Sequence, residues 1–282
     1  MPNSSTLNLA HHTLRQLIKQ FIYKSNSSLV ENSTFLGLFL ITCHIFEKYS
    51  LNIFLDYNLD KISEKLLKQA TKQNYAFLNL SANQVLGLVD IWYVAEQRSI
   101  KTFNINLITS CFEEHPHNLY DGELMYSWLI KEMIYLVKAK TTKIDKRYRP
   151  YKNKNKIYDL YWITHLIFLE TNYFKKTLDY KSFSLEILEL LGACDFLVCT
   201  KNMDLAAEVA ICLDLAEKSN TKEYNSIIKM LLDNANQLLN HSSIEFDISH
   251  TSSVVMVAIA GFIKNLTKNY PNDDKKFDRI SM

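Results

Sequence analysis

The sequence predicts an all-α protein. Three observations carry that reading. The 282 residues include only 5 Gly and 4 Pro, too few chain breakers for a sheet protein built on tight turns. No stretch alternates apolar and polar residues at period two over the length of a strand. Apolar residues instead recur at helical spacing through about ten successive stretches. The stretches between them are short, which predicts antiparallel helical hairpins. No repeat is strong enough to define a solenoid.

The elements follow in order. Residues 7–23 carry Leu14, Leu17, Ile18, Phe21 and Ile22 at helical spacing, and Asn26, Ser27 and Ser28 interrupt them. Ser33 or Thr34 can cap the next helix, which runs to Tyr49. Its apolar core, 35–46, is about a dozen residues and includes Thr42 and His44, whereas a bilayer span needs roughly 20. A buried helix is expected there, and no membrane association. Residues 59–71 turn Ile62, Leu66 and Leu67 inward, and Ser81 caps a helix to Glu96 that buries Val85, Leu86, Val89, Trp92 and Tyr93. A shorter element, 105–112, ends before Pro116, which cannot continue a helix. Asp121 opens another to Val137. Helices are expected again over 157–174, 184–199, 204–218, 223–240 and 252–267, ahead of a polar tail.

Residues 138–156 differ from the rest. They hold nine basic residues and one acid, Asp145, for a charge of +8. The whole chain carries +2, so the remainder is acidic, and by overall charge the protein is not a polyanion binder. Tyr148 and Tyr151 could stack on bases, but a charge run is read first as a solvated, mobile loop, and nucleic acid is not an expected partner. The segment divides the chain into an N-terminal helical half, 1–137, and a C-terminal one, 157–282, expected to form one compact unit. The five cysteines are irregularly spaced and form no CxxC pair. That predicts reduced, mostly buried thiols and a cytoplasmic protein. The N-terminus lacks the charged and apolar regions of a signal peptide.

The stretch 157–174, IYDLYWITHLIFLETNYF, is apolar almost all round, as a helix buried between other helices is. It is the expected centre of the fold. Leu160, Ile163, Ile167 and Thr171 lie along one side, and Tyr158, Tyr161, Trp162, His165, Phe168 and Leu169 along the other. Burial would keep His165 neutral, able to act as a base or to sit in the core on a hydroxyl. His250 opens the last helix, a small-residue one, either as a cap or as a functional group. Glu208 shares a helix face with Leu205, Ile211, Cys212 and Leu215, so it must be paired, neutral or facing a wet cavity. Asp195, within ACDFLVC, poses the same question. The phosphate-binding, dinucleotide-binding, zinc-protease and nucleophile-elbow motifs are all absent. No metal site and no cofactor is expected: His115 and His117 flank Pro116 on a loop, and two ligands do not make a site.

The segment Tyr161 to Phe174 carries the pattern Tyr-x-x-Thr-His-x-x-Phe-x-x-Thr, with Asn172 where Asp is preferred and no glycine after it. With Asp204, Leu205 and Glu208 on a later helix and His250–Thr251 opening the last, residues 155–265 resemble a family of uncharacterised bacterial helical proteins. The resemblance implies an α/α-toroid-like arrangement, similar in type to terpenoid-cyclase and lanthionine-cyclase folds, and a setting in peptide natural-product biosynthesis. The zinc ligands and acidic motifs of those enzymes are not visible here.

Three functional readings follow. The first is a binding or accessory protein whose central pocket, lined by Tyr161, Trp162, His165, Phe168, Asp195, Glu208 and His250, holds a peptide or an apolar small molecule. The second is an enzyme, cyclase-, lyase- or hydrolase-like, with His165, Glu208 and His250 as acid–base groups. The third is a structural interaction module in which these residues are core.

Overall fold

The computed structural model describes residues 33–49, 58–70, 82–101, 128–133, 149–174 and 176–240. Within them the protein is all α-helical. Eight helices are present among the described residues: α1 Ser33–Tyr49, α2 Leu59–Ala70, α3 Ala82–Gln97, α4 128–133, α5 Lys156–Glu170, α6 Ser184–Thr200, α7 Met203–Leu215 and α8 Lys222–Asn240. The helices expected over 7–23, 105–112 and 252–267 lie outside the described residues.

The N-terminal helices are built around α1 and α3, which pack on each other over most of their length, with α2 against both. Gly37 makes this closeness possible. A Cβ there would stand 2.3 Å from the carbonyl oxygen of Gly87 and 2.6 Å from its Cα, so the two backbones meet where neither residue has a side chain. In the C-terminal half α7 packs against α5, α6 and α8. That explains its composition: Leu205 through Leu213 are all buried, alanines included, because helices contact it on several sides. By contrast α2 and α8 alternate apolar and charged residues, as helices with one solvated face do. Buried side chains from both halves belong to one continuous core.

Local signals fix the start and end of α5. Asn155 is its N-cap, and its Oδ1 accepts hydrogen bonds from the backbone N–H groups of Ile157 and Tyr158 at 3.1 and 3.2 Å. The helix stops at Glu170, four residues short of the sequence expectation. Asn172, Tyr173 and Phe174 follow with φ of 49°, 48° and 73°. Left-handed backbone costs a non-glycine residue roughly 1–2 kcal/mol, so three in succession need support. Thr171 Oγ1 donates to the carbonyl of Ile167 and accepts from the Phe174 N–H. Tyr93 Oη reaches across from α3 to donate to the carbonyl of Asn172 at 3.1 Å.

At the end of the basic connector Lys152, Lys154 and Lys156 are exposed, as a solvated charge run is, but Arg149 and Tyr151 depart from that expectation. The segment 134–148, with Tyr148, lies outside the described residues. Arg149, however, is largely buried and forms paired hydrogen bonds to Asp159 of α5 and Glu189 of α6. Burial pulls its pKa down, but the hydrogen bonds it donates to Glu189 and Asp159 outweigh that and hold it above the ordinary value. Tyr151 is buried against Tyr158 and Trp162 at ring-centroid distances of 5.3 and 5.8 Å, not open to a base. Arg149 thus ties α5 to α6. Arg149→Ala is expected to destabilise the fold by about 1–3 kcal/mol, below the full cost of a broken buried pair because Glu189 is partly solvated. Arg149→Lys should recover only part, since an ammonium cannot reproduce two planar forks. Denaturant midpoints of the two variants check this.

Candidate functional site

Between the two halves lies a cavity of about 60 Å³. Leu38, Ile41, Thr42 and Ile45 of α1, Leu86 and Asp90 of α3, and Leu129 of α4 form one side. His165 and Phe168 of α5, Tyr173 and Phe174 of the left-handed turn, and Glu208 and Ile211 of α7 form the other. The strained turn matters here: it aims two successive aromatic side chains into the same space, and strain of this kind concentrates at sites with a use. Phe168 meets Phe174 at 5.1 Å, His165 at 5.7 Å and Tyr173 at 6.4 Å between ring centroids. The result is a continuous aromatic wall.

Polar groups punctuate the apolar lining. Glu208 is 1% exposed, and its Oε2 accepts from Thr164 Oγ1 at 2.5 Å. His165 Nδ1 stands 2.7 Å from the carbonyl oxygen of Tyr161, one turn back. A carbonyl only accepts, so Nδ1 carries the hydrogen and Nε2 keeps the ring's lone pair. Nε2 makes no hydrogen bond among the described residues. Glu208 Oε2 is 3.7 Å from Nδ1. Burial lowers the pKa of His165, more than the Tyr161 carbonyl and Asp204 raise it, so the ring is neutral near pH 7 and this contact is not a charge pair. Asp90 lies in the middle of α3, and burial alone pushes its pKa well up. No hydrogen bond or ion pair to Asp90 is present among the described residues. Tyr173 is also pushed well up, by burial first and then by Asp90, Tyr93 and Glu208.

The residues expected from the sequence separate into those around this cavity and those elsewhere. His165, Phe168 and Glu208 line it. Tyr161 and Trp162 do not. Tyr161 Oη donates to Asp204 Oδ2 at 2.7 Å and so ties α5 to the start of α7. Trp162 is 1% exposed and stacks on Trp128 at 4.0 Å. Asp195 is exposed: α6 buries Ile187, Leu190, Cys194 and Leu197, and Asp195 falls outside that stripe. His250 lies outside the described residues. No three His, Cys, Asp or Glu side chains among the described residues converge to hold a metal ion. Cys43, Cys194 and Cys212 are buried free thiols and Cys199 is an exposed one. No helix among the described residues is long and apolar enough to cross a membrane.

Asp90, Thr42 and Tyr173 are the polar cavity residues that the sequence reading missed. The signal for Asp90 was present: it is the sole acid within LGLVDIWYV, the same feature that singled out Glu208. Tyr173 gave no such signal, because its place depends on the left-handed turn. No protein-family model, no curated protein and no solved structure matches this chain.

Proposed function

We propose that the protein is a binding protein that holds a small molecule, apolar over most of its surface, in the cavity between its two halves. One observation carries the reading: apolar and aromatic walls from both halves enclose a space into which a few polar side chains, His165, Asp90 and Glu208 among them, are set. Such walls with few polar groups are the usual make-up of a small-molecule site. Size narrows the ligand. One water needs roughly 10–15 Å³ on this measure and drug-sized pockets start near 300 Å³, so about 60 Å³ takes a handful of heavy atoms. That favours a short-chain molecule, or one side chain of a peptide, over a peptide segment. The toroid-like arrangement and the peptide natural-product setting are part of the same proposal and rest on the resemblance of 155–265. A cytoplasmic setting is proposed on the free thiols.

An enzyme is the second reading. It is favoured by the neutral imidazole of His165, whose Nε2 lone pair meets no donor among the described residues and suits a general base.

The binding reading is tested with n-butanol as a probe, by ligand-observed NMR or calorimetry, on the intact chain and on Leu86→Phe. Leu86 is a half-buried lining residue, so the larger ring is expected to fill the space and reduce probe affinity about tenfold or more. Equal affinity for both proteins places the probe elsewhere and contradicts the reading.

A further inference from the structure

We propose that the cavity selects a small organic cation, a primary ammonium on a short apolar chain, with Asp90 as its counter-ion. The proposal rests on the binding reading above and adds the chemistry of the ligand.

The charges on the lining are one-sided. Asp90 and Glu208 are present, and no Lys or Arg lines the cavity among the described residues. The two acids are not equivalent. Glu208 is held by the hydroxyl of Thr164. Asp90, itself half-buried, has no hydrogen-bond or ion-pair partner among the described residues, and it sits at the middle of a helix whose other residues from Leu88 to Ala95 are buried. A carboxyl so placed is costly to ionise without a cation beside it. The aromatic wall supplies the second half of a cation site. Phe168, Phe174 and Tyr173 present ring faces and edges within contact distance of one another, and ring faces attract cations, most strongly when water is excluded. Among the described residues no three ligating side chains converge as a metal ion would require. An organic ammonium needs only one carboxylate and apolar walls for its chain.

Binding then involves one proton transfer. In the empty cavity burial raises the pKa of Asp90 and so favours its protonated form. The groups that face it are Glu208 from α7, Tyr173 from the turn, Tyr93 from its own helix and His165 from α5, and none of these is a cation near neutral pH. When the ammonium enters, the Asp90 O–H bond breaks and the proton leaves to solvent. The carboxylate left behind pairs with the ammonium, so the cavity gains no net charge from the exchange.

The experiment is a calorimetric titration of the intact chain at neutral pH with n-butylamine, n-butanol and butyrate. Butylamine is expected to bind tightest, about tenfold or more over butanol, with proton release that appears as a buffer-dependent heat. Asp90→Asn should bring butylamine down to the level that butanol shows with the same variant, with circular dichroism confirming the fold. Should that variant not fold, the butylamine-to-butanol ratio of the unaltered chain decides alone. Butanol binding as tightly as butylamine, or butyrate binding tighter, overturns the cation proposal and leaves the cavity as a binding site. Binding of none of the three overturns both.

Discussion

Gly37→Ala is expected to destabilise the protein by about 3 kcal/mol or more, at the top of the range for overpacking or beyond it. The added methyl would meet the carbonyl oxygen, Cα and carbonyl carbon of Gly87 at 2.3, 2.6 and 2.8 Å. These are backbone atoms, so no side chain can swing aside. Relief requires moving α1 away from α3, and those helices supply one side of the cavity. The effect therefore extends from packing to binding. Gly192→Ala is the matched control. It sits exposed within α6 and an added Cβ meets nothing within 4 Å. Removing glycine's backbone freedom there should stabilise by about 0.4–1 kcal/mol. Opposite shifts in the denaturant midpoints of the two variants confirm the close crossing, and a harmless Gly37→Ala refutes it.

Trp162→Ala is the second large effect, about 3–5 kcal/mol of lost stability. The indole is fully enclosed between Trp128, stacked at 4.0 Å, and Tyr151, edge-on at 5.8 Å. It ties α4 and the end of the basic connector to α5. Because Trp162 does not line the cavity, whatever fraction of the variant remains folded should bind a cavity probe with unchanged affinity. Loss of binding with little loss of stability would return Trp162 to the ligand site where the sequence reading put it.

The contrast between Trp162 and His165 shows how far the sequence could be read. The helix at 157–170 was legible because its residues are apolar on all sides, and that composition fits only a helix with neighbours all round. Which neighbour each face meets was not legible. Trp162 and His165 are three residues apart and look alike on a helical projection, yet one faces Trp128 and the other the cavity, and only long-range packing decides between them. Glu208 was found because a carboxyl among apolar residues is costly at any position. The same logic applied to Asp90 would have found the second acid. Asp195 was misjudged because ACDFLVC is apolar on average while only one stripe of α6 is buried. Tyr173 depends on three consecutive left-handed residues without glycine, a conformation that local propensity argues against. The contacts from Thr171 and Tyr93 that hold it come from elsewhere in the fold.

The central claim, a ligand cavity between the two helical halves, is tested most directly by a methyl NMR spectrum with the isoleucine δ1 groups labelled. Ile41, Ile45 and Ile211 line the cavity, while Ile187 and Ile227 are buried elsewhere. Addition of n-butanol is predicted to move the first three signals, from both halves of the chain, and to leave the last two in place. A spectrum in which the three do not move, or in which Ile187 and Ile227 move with them, contradicts the account.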